Sequence, residues 1–545
     1  MAASGSSSRR FGCPSCGSGL RYDIASGQMK CDQCGNLTPM SSLPPEEEAE
    51  DMAVTEFHCP QCGAMVYSTD TEVTSFCSFC GSDVVLTGKL SRAKRPASIV
   101  PFRVTREQCE EAYRSHLKGR LLAPAELKKA ETISHFRPVY IPFWSYRVTA
   151  EGPAQLKGKK SYTQGHYRYD ETYDISIDTK IEQGGILYDA SSAFEDETAA
   201  MLKHTTQDAE PFHPAFLSGF YAQSADMPAE TYHSEAAASA VRLFLDQMKE
   251  ENGMDSIEMK GHISENFGLP NAQFRDELVM MPVWLLAHRQ GKRVVYTAIN
   301  GQNGEVVQDV PVSSGRIAAA TLLLAAAFFA LLQMTLTLKP ELLMCLCAVL
   351  ALITQYSFSG AGRRLKERRD RKWDPHPEEE NSRFIGPAQA ALKRGKSSIS
   401  AGKSGASGGP AIIKTCLTLV IFAAWFAFYF NVFSDISSSF GSSSGRRHLA
   451  TATLAIVLLV MIIHTARRMA KKDSGPGWPR IISCLACAAG LVCLLTGQIE
   501  DMIYYACAAA MLIASMIELL IINRAHNEYA TRPVPFFGEK EGSAA

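Results

Sequence analysis

Two cysteine units cut to one spacing constrain this chain more than any other feature. Cys13-Pro14-Ser15-Cys16 is followed by Cys31-Asp32-Gln33-Cys34, and Cys59-Pro60-Gln61-Cys62 by Cys77-Ser78-Phe79-Cys80; fourteen residues separate the inner cysteines in each unit. A glycine closes every pair: Gly17, Gly35, Gly63 and Gly81. Two CxxC pairs so separated suit a closed tetrahedral site of four thiolates, each pair forming a tight knuckle. The glycine can take positive φ, which lets backbone N–H groups turn toward the sulfurs. The predicted metal ligands are therefore Cys13, Cys16, Cys31 and Cys34 in one small β zinc ribbon (11–38) and Cys59, Cys62, Cys77 and Cys80 in a second (57–86). The predicted cofactors are two structural zinc ions, because four thiolates leave no open position for a catalytic water. Iron in a rubredoxin-type site is the first rival and disulfide bonding the second.

From about residue 317 the composition changes class. Six apolar stretches follow, at 317–338, 342–358, 411–433, 449–466, 480–497 and 502–523. Each approaches the roughly 20 residues a spanning helix needs. The segment 361–410 carries twelve Lys and Arg, and 467–480 carries Arg467, Arg468, Lys471, Lys472 and Arg480. The alternate connections are poor in positive charge, so the basic ones and both termini are expected on the cytoplasmic side. Reduced thiolate ligands fit that compartment. The basic run at 363–372 suits topology or anionic lipid headgroups, and 395–410 reads as a flexible Gly/Ser/Lys linker. Glu518 falls inside the last apolar stretch, where a carboxylate is costly. The sequence gives it no deep ionisable partner, so it is expected to point into the bundle.

Between ribbons and membrane lies a region of mixed pattern, 96–312, expected as an α+β cytoplasmic domain. The acidic run Glu46–Asp51 and the basic run Lys89–Pro96 read as linkers flanking the second unit. Helical spacing predicts helices over Arg106–Leu117, Ala123–Ser134 and His233–Glu251. Strand patterns cover Tyr167–Ile177, Val283–Ala287, Val294–Ile299 and Glu305–Val310, with a Gly-containing hairpin loop at Arg289–Lys292. Tyr140-Ile141-Pro142-Phe143-Trp144 echoes Met280-Met281-Pro282-Val283-Trp284, which points to a duplicated α+β unit with the two Trp as core anchors.

The formal net charge of −1 excludes a global basic field for nucleic acid. No Lys or Arg lies between Cys59 and Cys80. The histidines His135, His166, His204, His213 and His233 form no ligand pair. There is no Gly-x-Ser-x-Gly elbow and no P-loop. An enzyme is not expected, and catalytic and cofactor-binding residues are none. Cys109 stands alone, and seven further cysteines in the apolar segments read as small buried hydrophobes. No signal peptide is visible after Met1.

These motifs resemble a family of bacterial membrane-anchored double zinc-ribbon proteins, often labelled TFIIB-type or PriA-helicase-like zinc ribbon. The carriers are Cys13–Gly17, Cys59–Gly63, Phe76–Gly81, Ile99-Val100-Pro101-Phe102, Val139–Trp144 and Ala298-Ile299-Asn300-Gly301-Gln302-Asn303-Gly304-Glu305. The resemblance spans 1–338. It implies a membrane scaffold recruiting cytosolic partners, in membrane stress or organisation.

The sequence thus predicts a multidomain chain. Two small β ribbons precede the α+β domain and an all-α polytopic membrane domain of about six helices. That last part comprises a transmembrane hairpin (316–358), a basic cytoplasmic linker (359–410), four transmembrane helices (411–524) and a cytoplasmic tail (525–545). The expected location is the cell membrane, multi-pass. The expected partners are membrane lipid and a cytosolic or membrane protein docked by the ribbons. A nucleic-acid-binding tethered ribbon protein, or a transporter with regulatory ribbons, is the alternative.

Overall fold

The computed structural model describes residues 11–44, 51–68, 77–83, 87–261, 266–320, 323, 343–356, 443–470, 478–496 and 501–534. The first cysteine unit carries its own three-stranded antiparallel sheet: β1 (Leu20–Asp23), β2 (Gln28–Cys31) and β3 (Leu37–Thr38). The second unit is different. Its strands β4 (Asp51–His58), β5 (Met65–Ser68) and β6 (Thr87–Lys94) belong to the main sheet. The basic stretch expected as a linker is thus a strand. β4 and β6 pair antiparallel from Asp51↔Lys94 to His58↔Thr87, and Glu56 faces Lys89. Opposite charges set across a strand pair stabilise it modestly, so the basic run at Lys89–Lys94 that looks like a solvated linker here serves a ladder.

At the sheet's centre two long strands run antiparallel: β8 (Arg137–Gln164) and β13 (Gln273–Gln290); β7, between β6 and β8, is the short strand Ser98–Ile99. The echoed segments lie side by side there, with Ile141 opposite Met281 and Tyr140 opposite Pro282. Equivalent positions make equivalent bonds. The Pro142 carbonyl accepts from Ala190 N–H at 2.9 Å, and the Pro282 carbonyl from Gly301 N–H at 2.9 Å. Tyr140 O accepts from Gln223 N–H and Met280 O from Val100 N–H, both at 2.9 Å. Each Trp indole reaches a backbone carbonyl: Trp144 that of Met227 at 2.8 Å, Trp284 that of Val104 at 2.9 Å. Both Trp rings are core anchors, as expected.

Residues 278–287 of β13 are buried without interruption, because both faces of the strand are covered. One face meets Phe102, Tyr113, Leu117, Tyr140 and Phe220. Helix α1 (Arg106–Lys118) supplies Tyr113 and Leu117 and starts with a Thr105–Gln108 capping box. The expected helix at 123–134 is only a 3-10 turn and α2 (Ala130–Ile133); Lys129 is extended, and Thr132 Oγ1 donates to Glu126 O at 2.9 Å. β8 and β9 (Tyr167–Asp189) form one long hairpin. After α3 (Asp196–Met201) and the short strands β10 (Glu210–Pro211) and β11 (Tyr221–Ala222) comes α4, His233–Glu251. It lays Ala236, Ala240, Val241 and Leu245 on Val148, Leu156 and Ile181 of that hairpin; small alanines allow close approach.

β14 (Arg293–Asn300) closes the predicted hairpin with β13 through Gly291, at φ 63°. β12 (Ser256–Met259) pairs with β8. The expected strand at 305–310 shrinks to β15 (Val306–Val307). Its continuation serves the last helix instead: His526 Nε2 lies 3.2 Å from Val310 O, and Asn527 bonds both N–H and C=O of Val312.

Among the described residues three helices are long and apolar enough to cross a membrane: α6 (Ser443–Ala470), α7 (Trp478–Thr496) and α8 (Asp501–Ala530). They carry the expected stretches 449–466, 480–497 and 502–523. Within the stretch 342–358 the described residues form an apolar helix, α5 (Leu343–Tyr356). The stretch 411–433 and nearly all of 317–338 lie outside the described residues, as do 363–372 and 395–410. Of the six expected spans, three are long apolar helices among the described residues. After α8 the chain returns to the main sheet: β16 (Arg532–Pro533) pairs with β14.

Candidate metal centres

All eight predicted ligands converge into two groups of four, with the sulfurs of each group within 4.8 Å of one another. The four knuckles are built alike. Gly17, Gly35, Gly63 and Gly81 have φ of 74°, 70°, 73° and 66°. Each donates its N–H to the carbonyl of its pair's first cysteine, at 2.8, 2.9, 2.8 and 3.0 Å. That first cysteine's own N–H reaches the residue after the glycine: Ser18, Asn36, Ala64 and Ser82.

In the first centre Cys13 Sγ lies 3.6 Å from Cys34 Sγ, and Cys16 Sγ 3.4 Å from Cys31 Sγ. In the second, Cys59–Cys80 and Cys62–Cys77 are both 3.8 Å apart. A tetrahedron with ~2.3 Å metal–sulfur bonds has edges of about 3.8 Å, so the donors fit a four-thiolate metal. They do not fit the disulfide alternative: the eight thiols are free, and these separations far exceed a ~2.05 Å S–S bond.

Backbone donors prepare the sulfurs for charge. At Cys13 desolvation opposes ionisation, but the N–H groups of Ser15 and Cys16 and the thiols of Cys34 and Cys16 bring it down to about 6. The Ser18 N–H favours the Cys16 thiolate, yet Cys31 and Cys34 hold that thiol up, to about 12. In the second centre Cys62 and Cys77 depress Cys80, while Cys77 and Cys80 raise Cys62. Crowded thiols share protons unequally until a cation replaces those protons.

The surroundings of the two centres differ. In the first, Cys13 and Cys31 are buried and Cys16 and Cys34 are exposed. This ribbon leans on the 211–220 loop: Tyr22 packs on Phe216 at 5.3 Å, and Ser218 Oγ donates to Leu20 O at 2.7 Å. In the second centre all four cysteines are buried. Phe57, Phe79 and Val66 pack around them, with Tyr221 and Val534 alongside. β5 joins the sheet through Tyr67↔Ala222, and Arg289 Nη1 donates to Ser82 Oγ at 2.9 Å beside the last knuckle.

Other residues singled out by sequence take structural roles. Glu518 is paired after all: Arg480 Nε donates to its Oε1 at 3.1 Å, both side chains largely buried. Arg480 counts in sequence as a loop charge, which hides it as a partner; it is the third residue of α7. His233 pairs with Asp276 at 2.7 Å and stacks on Phe274, fixing the start of α4 to β13. His204 lies 3.2 Å from Gln302 Oε1, and Asn300 Nδ2 donates to Leu202 O at 2.7 Å, so the Asn-Gly-Gln turn ties down a loop. Cys109 is buried and raised by desolvation, which leaves it inert. Sequence reasoning missed Arg532, whose guanidinium meets Glu195 and Tyr296. No periodicity flags a single arginine after a span.

No protein-family model matches the chain, and no solved structure matches it. Among curated proteins it is similar to an uncharacterized protein, YdjG, of Bacillus subtilis (strain 168). The two are 28% identical over 320 residues, which is 57% of this chain and 92% of the relative.

Proposed function

We propose that this chain is a non-enzymatic, multi-pass membrane protein whose cytoplasmic zinc ribbons form a docking platform for a protein partner, in membrane stress or organisation. Both centres hold structural zinc in this reading. The observation that carries it is the mounting of the second centre. Its wall includes Val534, just beyond the last apolar helix, and its knuckle abuts β13. A ribbon so mounted holds a fixed orientation to the bilayer. The first ribbon, docked beside it, offers exposed knuckles at Pro14–Gly17 and Asp32–Gly35. The matched bonds around Pro142 and Pro282 favour an internally duplicated α+β core beneath it.

Affinity capture of the full-length protein from membranes tests the reading, because the soluble sheet includes a strand from beyond the last helix. Wild type is compared with a Cys16→Ser/Cys34→Ser variant. A partner retained by wild type and lost by the variant is expected; identical partner sets from both defeat the platform. Zinc analysis of the purified protein is expected to give two ions per chain. A membrane-impermeant maleimide is expected to label Cys16 in inside-out vesicles only.

A further inference from the structure

The two centres share spacing, knuckle geometry and donors, and differ in access. We propose that the first is a thiol–disulfide switch toward hydroperoxides, while the second is inert to them; this rests on the zinc reading above. Cys16 and Cys34 are exposed, and so are Pro14, Ser15, Gly17, Asp32, Gln33 and Gly35 around them. Each exposed sulfur has a buried partner across the centre: Cys31 at 3.4 Å from Cys16, Cys13 at 3.6 Å from Cys34. The second centre has similar separations, but Cys59, Cys62, Cys77 and Cys80 are at most 2% exposed. Reaction with peroxide follows access as well as thiolate character, so proximity alone does not make the second centre reactive.

The chemistry closes with a hydroperoxide as oxidant. Cys16 or Cys34, which would be a thiolate as a zinc ligand, attacks one peroxide oxygen and would thereby leave the metal. The O–O bond breaks, an S–O bond forms, and the leaving hydroxide takes a solvent proton. The buried partner thiolate then attacks the sulfenic sulfur, the S–S bond forms, and a second hydroxide leaves and is protonated. For hydrogen peroxide, two thiolates lose two electrons and two waters result. The sulfurs close from 3.4 or 3.6 Å to about 2.05 Å.

The fold tolerates this step at the first centre. β1 to β3 form a separate small sheet, whereas the second centre shares strands with the main sheet. Losing the first pair of ligands therefore frees one ribbon without opening the core.

The test uses full-length protein in detergent, purified without oxygen, with zinc counted first. Hydrogen peroxide is added, released zinc is read with a chromogenic chelator, and disulfides are mapped by alkylation and mass spectrometry. The expected result is one zinc of two leaving at least about tenfold faster than the other, given the difference in access. A Cys13–Cys34 or Cys16–Cys31 disulfide accompanies it and is reversed by dithiothreitol. The Cys16→Ser/Cys34→Ser variant is expected to hold one zinc and to lose the fast phase. Release of both ions at one rate, oxidation mapped to 59–80, or a first centre that stays reduced overturns the switch and leaves the zinc reading intact. Protein isolated without zinc overturns both.

Discussion

The guanidinium of Arg532 lies 4.2 Å from the ring centroid of Tyr296 and donates a 2.6 Å hydrogen bond to Glu195. One side chain just past the last apolar helix thus grips two elements of the soluble sheet region. Arg293 grips in the opposite direction, its Nη2 donating to Glu528 O at 2.7 Å and its Nε to Thr531 Oγ1 at 2.6 Å. Arg532→Ala removes the cation from the ring and leaves the Glu195 carboxylate, 12% exposed, without that partner. The cost is about 2–4 kcal/mol. Hydrogen exchange over 293–296 should rise and the soluble region should melt several degrees lower. Unchanged exchange there would show that the arginine does not hold the helix to the sheet.

Two glycines with similar positive φ, Gly17 at 74° and Gly81 at 66°, should respond differently to the same substitution. A Cβ on Gly81 would sit 2.6 Å from Ala287 O, backbone that cannot yield, whereas at Gly17 nothing lies within 4 Å. Gly17→Ala then meets only the left-handed conformation, about 1–2 kcal/mol. Gly81→Ala adds a clash inside the buried wall of the second centre. Metal analysis should give two zinc ions for the first variant and one for the second.

The Arg480–Glu518 pair joins α7 to α8 with side chains 17% and 7% exposed. Removing either partner alone strands a buried charge and should cost about 3–5 kcal/mol, whereas replacing both by methionine should cost far less. Thermal unfolding of the three variants in detergent forms a double-mutant cycle. Strictly additive losses would mean that the pair is not coupled.

Acid should weaken the soluble domain through two histidines. Burial lowers His116 to about 4, with Arg120 adding to the effect; burial also lowers His204 to about 4, against Gln302. Unfolded histidine takes a proton near 6.5. The folded state binds fewer protons between these values. The stability from neutral rings is therefore fully present above pH 6.5 and is lost as pH falls toward 4. Melting temperature measured across that window should fall steeply in wild type and less steeply in His116→Gln and His204→Gln. Equal slopes would defeat the assignment.

The local signals were legible where chemistry is local. CxxC spacing and its glycines mark both thiolate groups without any tertiary information, and 3.6-residue periodicity marks α1 and α4 nearly to the residue. What escaped was set by partners far along the chain. Lys89–Lys94 looks like a basic linker until Asp51–Glu56 is laid beside it. Arg480 and Glu518 look like a loop charge and an orphan until two helices bring them together. Beyond Val307 the chain turns instead to partners more than 200 positions away, His526 at Val310 and Asn527 at Val312.

β16 completes the soluble sheet from beyond the final apolar helix, and its neighbour Thr531 meets Arg293 across 238 positions. During synthesis the N-terminal regions emerge first, yet this sheet lacks its last strand until the whole membrane region has been made. A chain whose final helix fails to insert keeps an open backbone edge at β14, and open edges invite aggregation and proteolysis. Completion of the sheet is thereby tied to placement of the last apolar helix, and a copy in which that helix is misplaced carries an exposed strand edge.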